Sequence, residues 1–431
     1  MNKKILKLSI PSILASITVP LVGLVDLAVA GRIGSAAAIG ALAMGSMLFD
    51  LLYWNFGFLR VGTAGLTAQA YGKRNFSEAI KTFSQSICTS VFIGVVLIAI
   101  QYLFLNLSFC IIECSPEVEA LARDYFKVRI WAAPATLSLF VFRGWFMGMQ
   151  NAISPMVIDI GVNVINLVLS IYFALYLDMG VKGVAAGTLA AQYTGLVAAI
   201  IIVWVYYGKL FKYFDLSKYL NLKDILRVFK LNRDLFLRSL CFMLIYSGFT
   251  YFSAKYGDEP LAVTSIIMKL LLLFSYLVDG FAYAGEALVG KYIGAKNVTL
   301  LRKAVRLLFI WSLSIGAVST LAYYLCGDWM VSVITTSESV RAASEPFMFW
   351  LLLMPIISCA AFMWDGVFIG ATASKEIRDC MFFSAVAFLL VYYLFKGSMG
   401  IQALMLAYFA HLAVRTVYLS IMYKKKLKTW I

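Results

Sequence analysis

KLFKYFDLSKYLNLKDILRVFKLNRDLFLR, residues 209–238, is a basic interruption at the midpoint of a chain that is otherwise mostly apolar. It carries eight Lys or Arg against Asp215, Asp224 and Asp234. On either side lie repeated runs of roughly 20 apolar residues, the length that carries a helix across a bilayer. The stretch therefore reads as the connection between two membrane-embedded halves.

Composition supports this. Of 431 residues, 62% are hydrophobic and 14% charged, whereas soluble domains have about 45–50% apolar and about 25% charged residues. A soluble globular class is excluded. The formal net charge is +15, but the basic residues sit in short segments between apolar runs, so membrane lipid headgroups rather than nucleic acid are the expected partner. The opening MNKKILKLSI looks like the basic region of a signal peptide. Its apolar run continues to Ala30 without a convincing cleavage site, so a retained first helix is expected. The seven cysteines show neither zinc spacing nor a disulfide framework, and no metal or cofactor is expected.

Twelve hydrophobic segments can be drawn: 6–30, 37–71, 80–109, 119–148, 155–177 and 183–208, then 235–256, 260–292, 299–325, 338–370, 377–396 and 401–423. The expected fold is an all-α membrane protein, with twelve transmembrane helices in two pseudo-symmetric six-helix bundles. Its domains would be an N-terminal lobe (1–208), a basic cytoplasmic linker (209–234), a C-terminal lobe (235–423) and a basic tail (424–431). Twenty-five Lys and Arg fall on the side holding both ends, against six on the other. Cytoplasmic connections retain positive charge, so both termini are expected in the cytoplasm of a bacterial plasma membrane. The opposite side carries most of the loop acids, among them Asp178, Asp258, Asp328 and Glu338.

An internal repeat links the halves. AYGKRN at 70–75 matches YIGAKN at 292–297, with Gly72 and Asn75 lying 222 residues before Gly294 and Asn297. The same offset pairs Gly144, Phe146 and Gly148 with Gly366, Phe368 and Gly370, and Pro134 pairs with Pro355 at 221. Six segments per copy give both copies the same orientation, a parallel repeat of the kind used by transporters.

Ionisable and polar residues inside apolar runs are the candidate functional groups, because a charge at the bilayer centre costs at least about 2.5–3.5 kcal/mol. Asp26 follows Pro11 and Pro20 in the first segment. Asn163, Asn166 and Ser170 share a helical face with Asp159 in the fifth, and Thr188 and Gln192 stand at i, i+4 in the sixth. Such a stripe serves either as interhelical hydrogen-bond glue or as the lining of a hydrated cation path. In the second half, Asp279 and Glu286 lie seven residues apart with Lys269 deeper in the run, and Asp365 is the expected additional partner, as an ion pair or a proton relay. Arg143 reads as an interfacial anchor, and the single His411 cannot build a metal site.

The chain resembles the multidrug and toxic compound extrusion (MATE) family, in particular its DNA-damage-inducible branch. The resemblance rests on PLVGLVDLAVAGRIG (20–34), TAQAYGKRN (67–75), FRGWFMGMQNAISPM (142–156), VNVINLVLS (162–170), GVAAGTLAAQ (183–192) and VDGFAYAGEALVGKYIGAKN (278–297). It implies two six-helix lobes and export of mostly cationic amphipathic small molecules in exchange for protons or sodium ions, by alternating access of what is expected to be a monomer. It further implies a cation site at Asp26, Asn166 and Thr188. Ser170 departs from the aspartate that many relatives carry there, which weakens a sodium site and favours protons. Lys269, Asp279, Glu286 and Asp365 would form a second ionic centre or bind substrate. A lipid-linked oligosaccharide or lipid-precursor flippase of the same superfamily is the nearest alternative. Without HExxH, paired histidines or GxSxG, an enzyme is not expected.

Overall fold

The computed structural model describes residues 1–431 except 34–35, 113, 214–221, 336, 428 and 431, and gives the backbone alone at 19–22, 24–28, 30, 33, 36, 211 and 222–231. The first half contains α1 (Asn2–Ile33), α2 (Ala36–Trp54), α3 (Phe58–Gly72), α4 (Phe76–Ala99), α5 (Gln101–Ile111), α6 (Pro116–Arg129), α7 (Ala133–Gly148), α8 (Ile153–Ile171) and α9 (Gly180–Tyr207). The second contains α10 (Leu222–Ala254), α11 (Asp258–Gly294), α12 (Val298–Ile334), α13 (Glu338–Gly370), α14 (Ser374–Met399) and α15 (Gln402–Lys426). Among the described residues there is no strand, and eleven helical spans are long and apolar enough to cross a membrane. With the 32-residue α1 they make the twelve-helix, all-α membrane fold that the apolar runs predict.

The spans of the first half are interrupted where local chemistry competes with the helix. Between α2 and α3 the Asn55 side chain donates to the Leu51 carbonyl at 2.9 Å, taking a helix acceptor, and Gly57 follows. Between α6 and α7 a 3₁₀ turn, Ile130–Ala132, precedes Pro134, whose ring and missing N–H disfavour a regular α-helix. By contrast α11 and α12 are unbroken over 37 residues each. The helix α12 runs to Ile334, so Asp328 is helical rather than in a loop. Likewise the described half of the basic linker is helical from Leu222, while 214–221 lies outside the described residues. Both differences have one cause. Apolarity marks the part of a helix that meets lipid, whereas backbone hydrogen bonding continues beyond it.

The repeat is written in the backbone as well. Arg74, Gln150 and Asp178 have positive φ (58°, 65° and 53°), and so do Lys296, Thr372 and Gly400 (52°, 54° and 56°), each 222 residues later. At the first pair the chain closes the preceding helix with the same two bonds, Asn75 N–H to Ala70 O and Arg74 N–H to Tyr71 O, matched by Asn297 to Tyr292 and Lys296 to Ile293. Each asparagine then caps the next helix, its side chain accepting from Glu78 N–H at 3.1 Å or Leu300 N–H at 2.9 Å. Arg74 and Lys296 add positive charge at helix C-termini, where the helix dipole favours it.

Contacts divide the chain into two compact units. One is Leu14–Arg227; the other is Val228–Ile431 together with Met1–Ile13. In the first, α7 packs on α3 and α4, α8 on α9, and α2 on α6, around buried Phe49, Phe126, Trp145 and Phe146. In the second, α13 packs on α11 and α12, and α14 on α15, around Ile267, Phe274, Met354 and Phe388. The start of α1 belongs to this second unit: Asn2 Oδ1 accepts from Trp311 Nε1 at 3.4 Å, and Ser9 and Ile13 abut Gly280.

Close helix approach depends on glycine in both units. A Cβ on Gly144 would collide with the Arg60 carbonyl oxygen, and one on Gly366 with the Ala282 carbonyl oxygen, positions again related by the repeat. Neither contact has a flexible side chain that can yield. Gly144→Val and Gly366→Val are each expected to destabilise the folded protein by about 1–3 kcal/mol or more, read as a lower unfolding midpoint in detergent.

Candidate functional site

In the Leu14–Arg227 unit, α8 presents its polar stripe to α9. Small residues bring the two together: a Cβ on Gly187 would strike the Ser170 backbone, and one on Gly183 the Phe173–Ala174 backbone. Asn166 and Thr188 are thereby joined, Asn166 Nδ2 donating to Thr188 Oγ1 at 2.8 Å while Thr188 Oγ1 donates to the Val184 carbonyl at 3.1 Å. Ser170 Oγ donates to the same carbonyl at 3.4 Å. All three side chains are buried. Half-buried Asn163 points elsewhere on the stripe, donating through Nδ2 to Thr18 Oγ1 of α1 at 2.7 Å.

This chain of donors leaves one acceptor over. Asn166 Oδ1 is buried and has no hydrogen-bond partner among the described residues. One turn beyond Thr188 on α9, Gln192 Oε1 is a second such acceptor. A buried amide oxygen without a partner costs about 1–3 kcal/mol, which marks these two oxygens as the open acceptors of the α8–α9 pair among the described residues. Asp26 is helical in backbone, in α1, but its side chain lies outside the described residues.

Asp159, the first polar residue of the α8 stripe, forms an ion pair: its Oδ1 accepts from Arg143 Nε of α7 at 2.6 Å. Arg143 is therefore more than the interfacial anchor its position suggested.

In the second unit one expected pairing of the ionic centre is replaced. Asp365 on α13 does not pair with Lys269. Its Oδ2 accepts from Arg238 Nη2 of α10 at 2.6 Å and from Arg415 Nη2 of α15 at 2.7 Å. Lys269 is exposed, Asp279 half-buried and Glu286 fully buried on α11. The physical reason is reach. Lys269 stands on α11 nearly four turns before Ala282, the residue that abuts Gly366 beside Asp365. Arg238 was missed because it reads as the last charge of the basic linker. The repeat held the available signal: Arg143 and Asp365 are 222 residues apart, so equivalent places carry opposite charges and need different partners. A third network ties α10 to α14, with buried Asp234 accepting from Arg378 Nη1 at 2.8 Å.

The comparisons with known proteins agree with this architecture. The MatE family model matches residues 11–172 and again 235–395, once in each half. DNA damage-inducible protein F of Escherichia coli is 32% identical over 100% of this chain and 94% of its own length. A probable multidrug resistance protein NorM of Photorhabdus laumondii is 22% identical, covering 87% of this chain and 83% of its own. A solved MATE structure in the bent conformation superposes with a TM-score of 0.91 at 18% identity, covering 100% of this chain and 96% of that one.

Proposed function

This chain belongs to the MatE family, and from that premise we propose that it exports amphipathic, cationic small molecules in exchange for protons, with the α8–α9 polar pair and Asp26 as the coupling site. The coarser statement needs no proposal: it is a multidrug and toxic compound efflux transporter, an integral membrane protein and not an enzyme.

The observation that carries the coupling reading is Asn166 Oδ1 beside Thr188, which has no partner among the described residues. An amide oxygen accepts a hydrogen bond from a protonated carboxyl group but not from a carboxylate. Helix rise supports Asp26 as that group. From Thr18, which bonds Asn163, to Asp26 is about 12 Å along α1, and from Asn163 to Ser170 about 10.5 Å along α8. Both spans run the same way through the membrane in an alternating topology, so the Asp26 position on α1 comes about 1.5 Å beyond the level of Ser170 and about 7.5 Å beyond that of Asn166. A protonated carboxyl group that reached Asn166 Oδ1 would satisfy it, and a carboxylate would not. Proton binding then favours one conformation and substrate the other, as alternating access requires. Ser170, a hydroxyl already donating to Val184, supplies no second carboxylate for sodium.

The same reading places both termini in the cytoplasm of a bacterial plasma membrane, with 209–234 as the basic connection between lobes of a monomer. The experiment is dye efflux from proteoliposomes holding purified full-length protein. A pH gradient in sodium-free buffer is expected to drive efflux, and a sodium gradient at equal pH is not. Efflux driven equally by sodium alone would defeat the proton assignment.

A further inference from the structure

The helix α2 carries a charge on an open face. Met47, Asp50, Leu51 and Trp54 stand at i, i+3, i+4 and i+7, so they share one side of the helix, and all four are exposed. The opposite side, with Leu48, Phe49 and Leu52, is buried. Residues 36–49, AAAIGALAMGSMLF, contain no charged side chain, so the helix outward of Asp50 is itself membrane material. From Ala37, where this span begins, to Asp50 is about 20 Å, and from Asp50 to its end at Gly72 about 33 Å. A lysine at such a depth extends its long stem to the interface, but an aspartate has one methylene and cannot. An exposed carboxylate there needs water, and a charge held at membrane depth marks a hydrated path.

The second unit repeats this face with the other sign. Lys269, Leu272, Leu273 and Tyr276 lie 222 residues after Met47, Asp50, Leu51 and Trp54; the first three are exposed and Tyr276 is half-buried. Neither charge is tied into the fold: among the described residues Asp50 and Lys269 make no hydrogen bond and no ion pair. Arg129 of α6 is within electrostatic reach of Asp50, but its guanidinium lies over the Phe49 ring, 4.6 Å from the centroid, and donates to the Tyr125 hydroxyl. It supplies a counter-charge without occupying the carboxylate. The backbone adds a second feature. The helix α2 ends at Trp54, one turn beyond Asp50 and within the span, while α11 continues unbroken. A helix C-terminus presents unpaired carbonyls and a partial negative charge, and half-helix ends of this kind attract cations in transporters.

We propose that Asp50, with Met47 and Trp54 beside it, is a specificity-determining subsite for the positively charged group of the exported molecule, a monovalent organic cation with a flat apolar body. The carboxylate and the α2 C-terminus take the charge, and the indole face and the thioether take the apolar part. This inference rests on the export of cations read above, and it names a recognition residue separate from the coupling residues Asp26 and Asn166.

The test titrates ethidium, a monovalent aromatic cation, by fluorescence anisotropy against purified full-length protein in nonionic detergent, and follows its uptake with proton counterflow in proteoliposomes. Asp50→Asn is expected to raise the half-saturating concentration about tenfold in both measurements, and Asp50→Glu to stay within about threefold of the wild type. Proton counterflow is expected to persist in Asp50→Asn once ethidium is raised to saturation. Because Asp50 is exposed and makes no bond within the fold, the unfolding midpoint of Asp50→Asn is expected to match the wild type. Equal half-saturation in the wild type and Asp50→Asn overturns the inference. So does a loss of proton counterflow in Asp50→Asn at unchanged binding, which would make Asp50 a coupling residue. A wild type that neither binds nor moves ethidium overturns the cation-export reading and this inference with it.

Discussion

Asp365→Asn is expected to destabilise the folded protein by about 3–5 kcal/mol, because it removes the carboxylate that pairs with both Arg238 and Arg415, which are half-buried and buried. Arg415→Gln is expected to cost less, since Arg238 still pairs with Asp365. Losing one charge-assisted hydrogen bond there costs about 1.5–3 kcal/mol. The order of the two variants is the informative result. The double variant Asp365→Asn/Arg415→Gln is expected to fall short of the sum of the single effects by about 0.5–3 kcal/mol, since the residues are in contact. Unfolding midpoints in detergent measure all three. Arg415→Gln proving more damaging than Asp365→Asn would mean that Asp365 is not the counter-charge of the cluster.

The second large effect is functional. Asp26→Asn is expected to abolish accumulation against a gradient while leaving the protein folded and able to bind substrate. One-for-one exchange of a monovalent cation for a proton moves no net charge, so the pH gradient alone drives it, each pH unit supplying about 1.4 kcal/mol and sustaining about a tenfold substrate gradient. An amide does not release a proton, so the gradient collapses toward unity. Asn166→Ala is expected to act in the same direction with a smaller loss, because it deletes the acceptor proposed to tell a protonated from a charged carboxyl group while leaving Thr188 bonded to Val184. Steady-state dye ratios across proteoliposomes at a fixed imposed gradient read both. Wild-type accumulation by Asp26→Asn at equal reconstitution would remove Asp26 from the coupling site.

The fold was legible because two signals are strong in any membrane chain. Apolar runs mark spans, and small or turn-forming residues mark corners that cannot change. Gly144 and Gly366, Asn75 and Asn297, and the positive-φ residues that follow the helices all sit at the 222-residue spacing visible in the sequence. The helix interruptions near Asn55 and Ile130 were not legible, since they depend on side-chain competition and on Pro134 rather than on hydropathy. Nor was the assignment of Met1–Ile13 to the second unit, because contacts such as Trp311 to Asn2 join residues far apart in sequence.

The candidate sites divide the same way. Asn166 and Ser170 were legible as one face because helical spacing fixes which residues of one helix stand together, while Thr188 of the next helix was tied to them by the family resemblance and the glycines of α9 bring the two together. The Asp365 cluster was not, because choosing among Lys269, Arg238 and Arg415 as partners requires the packing of four helices. Charge alone favours none of them.

Proton counterflow is the most direct measure of the central claim, that efflux is exchange against a proton handled by Asp26 and Asn166. With a pH-sensitive dye inside sodium-free proteoliposomes clamped at zero potential, adding a cationic substrate outside is expected to drive protons out of the lumen as substrate enters. That signal is expected to disappear in Asp26→Asn. Substrate entry with no change in luminal pH in the wild type, or an undiminished pH change in Asp26→Asn, would contradict it.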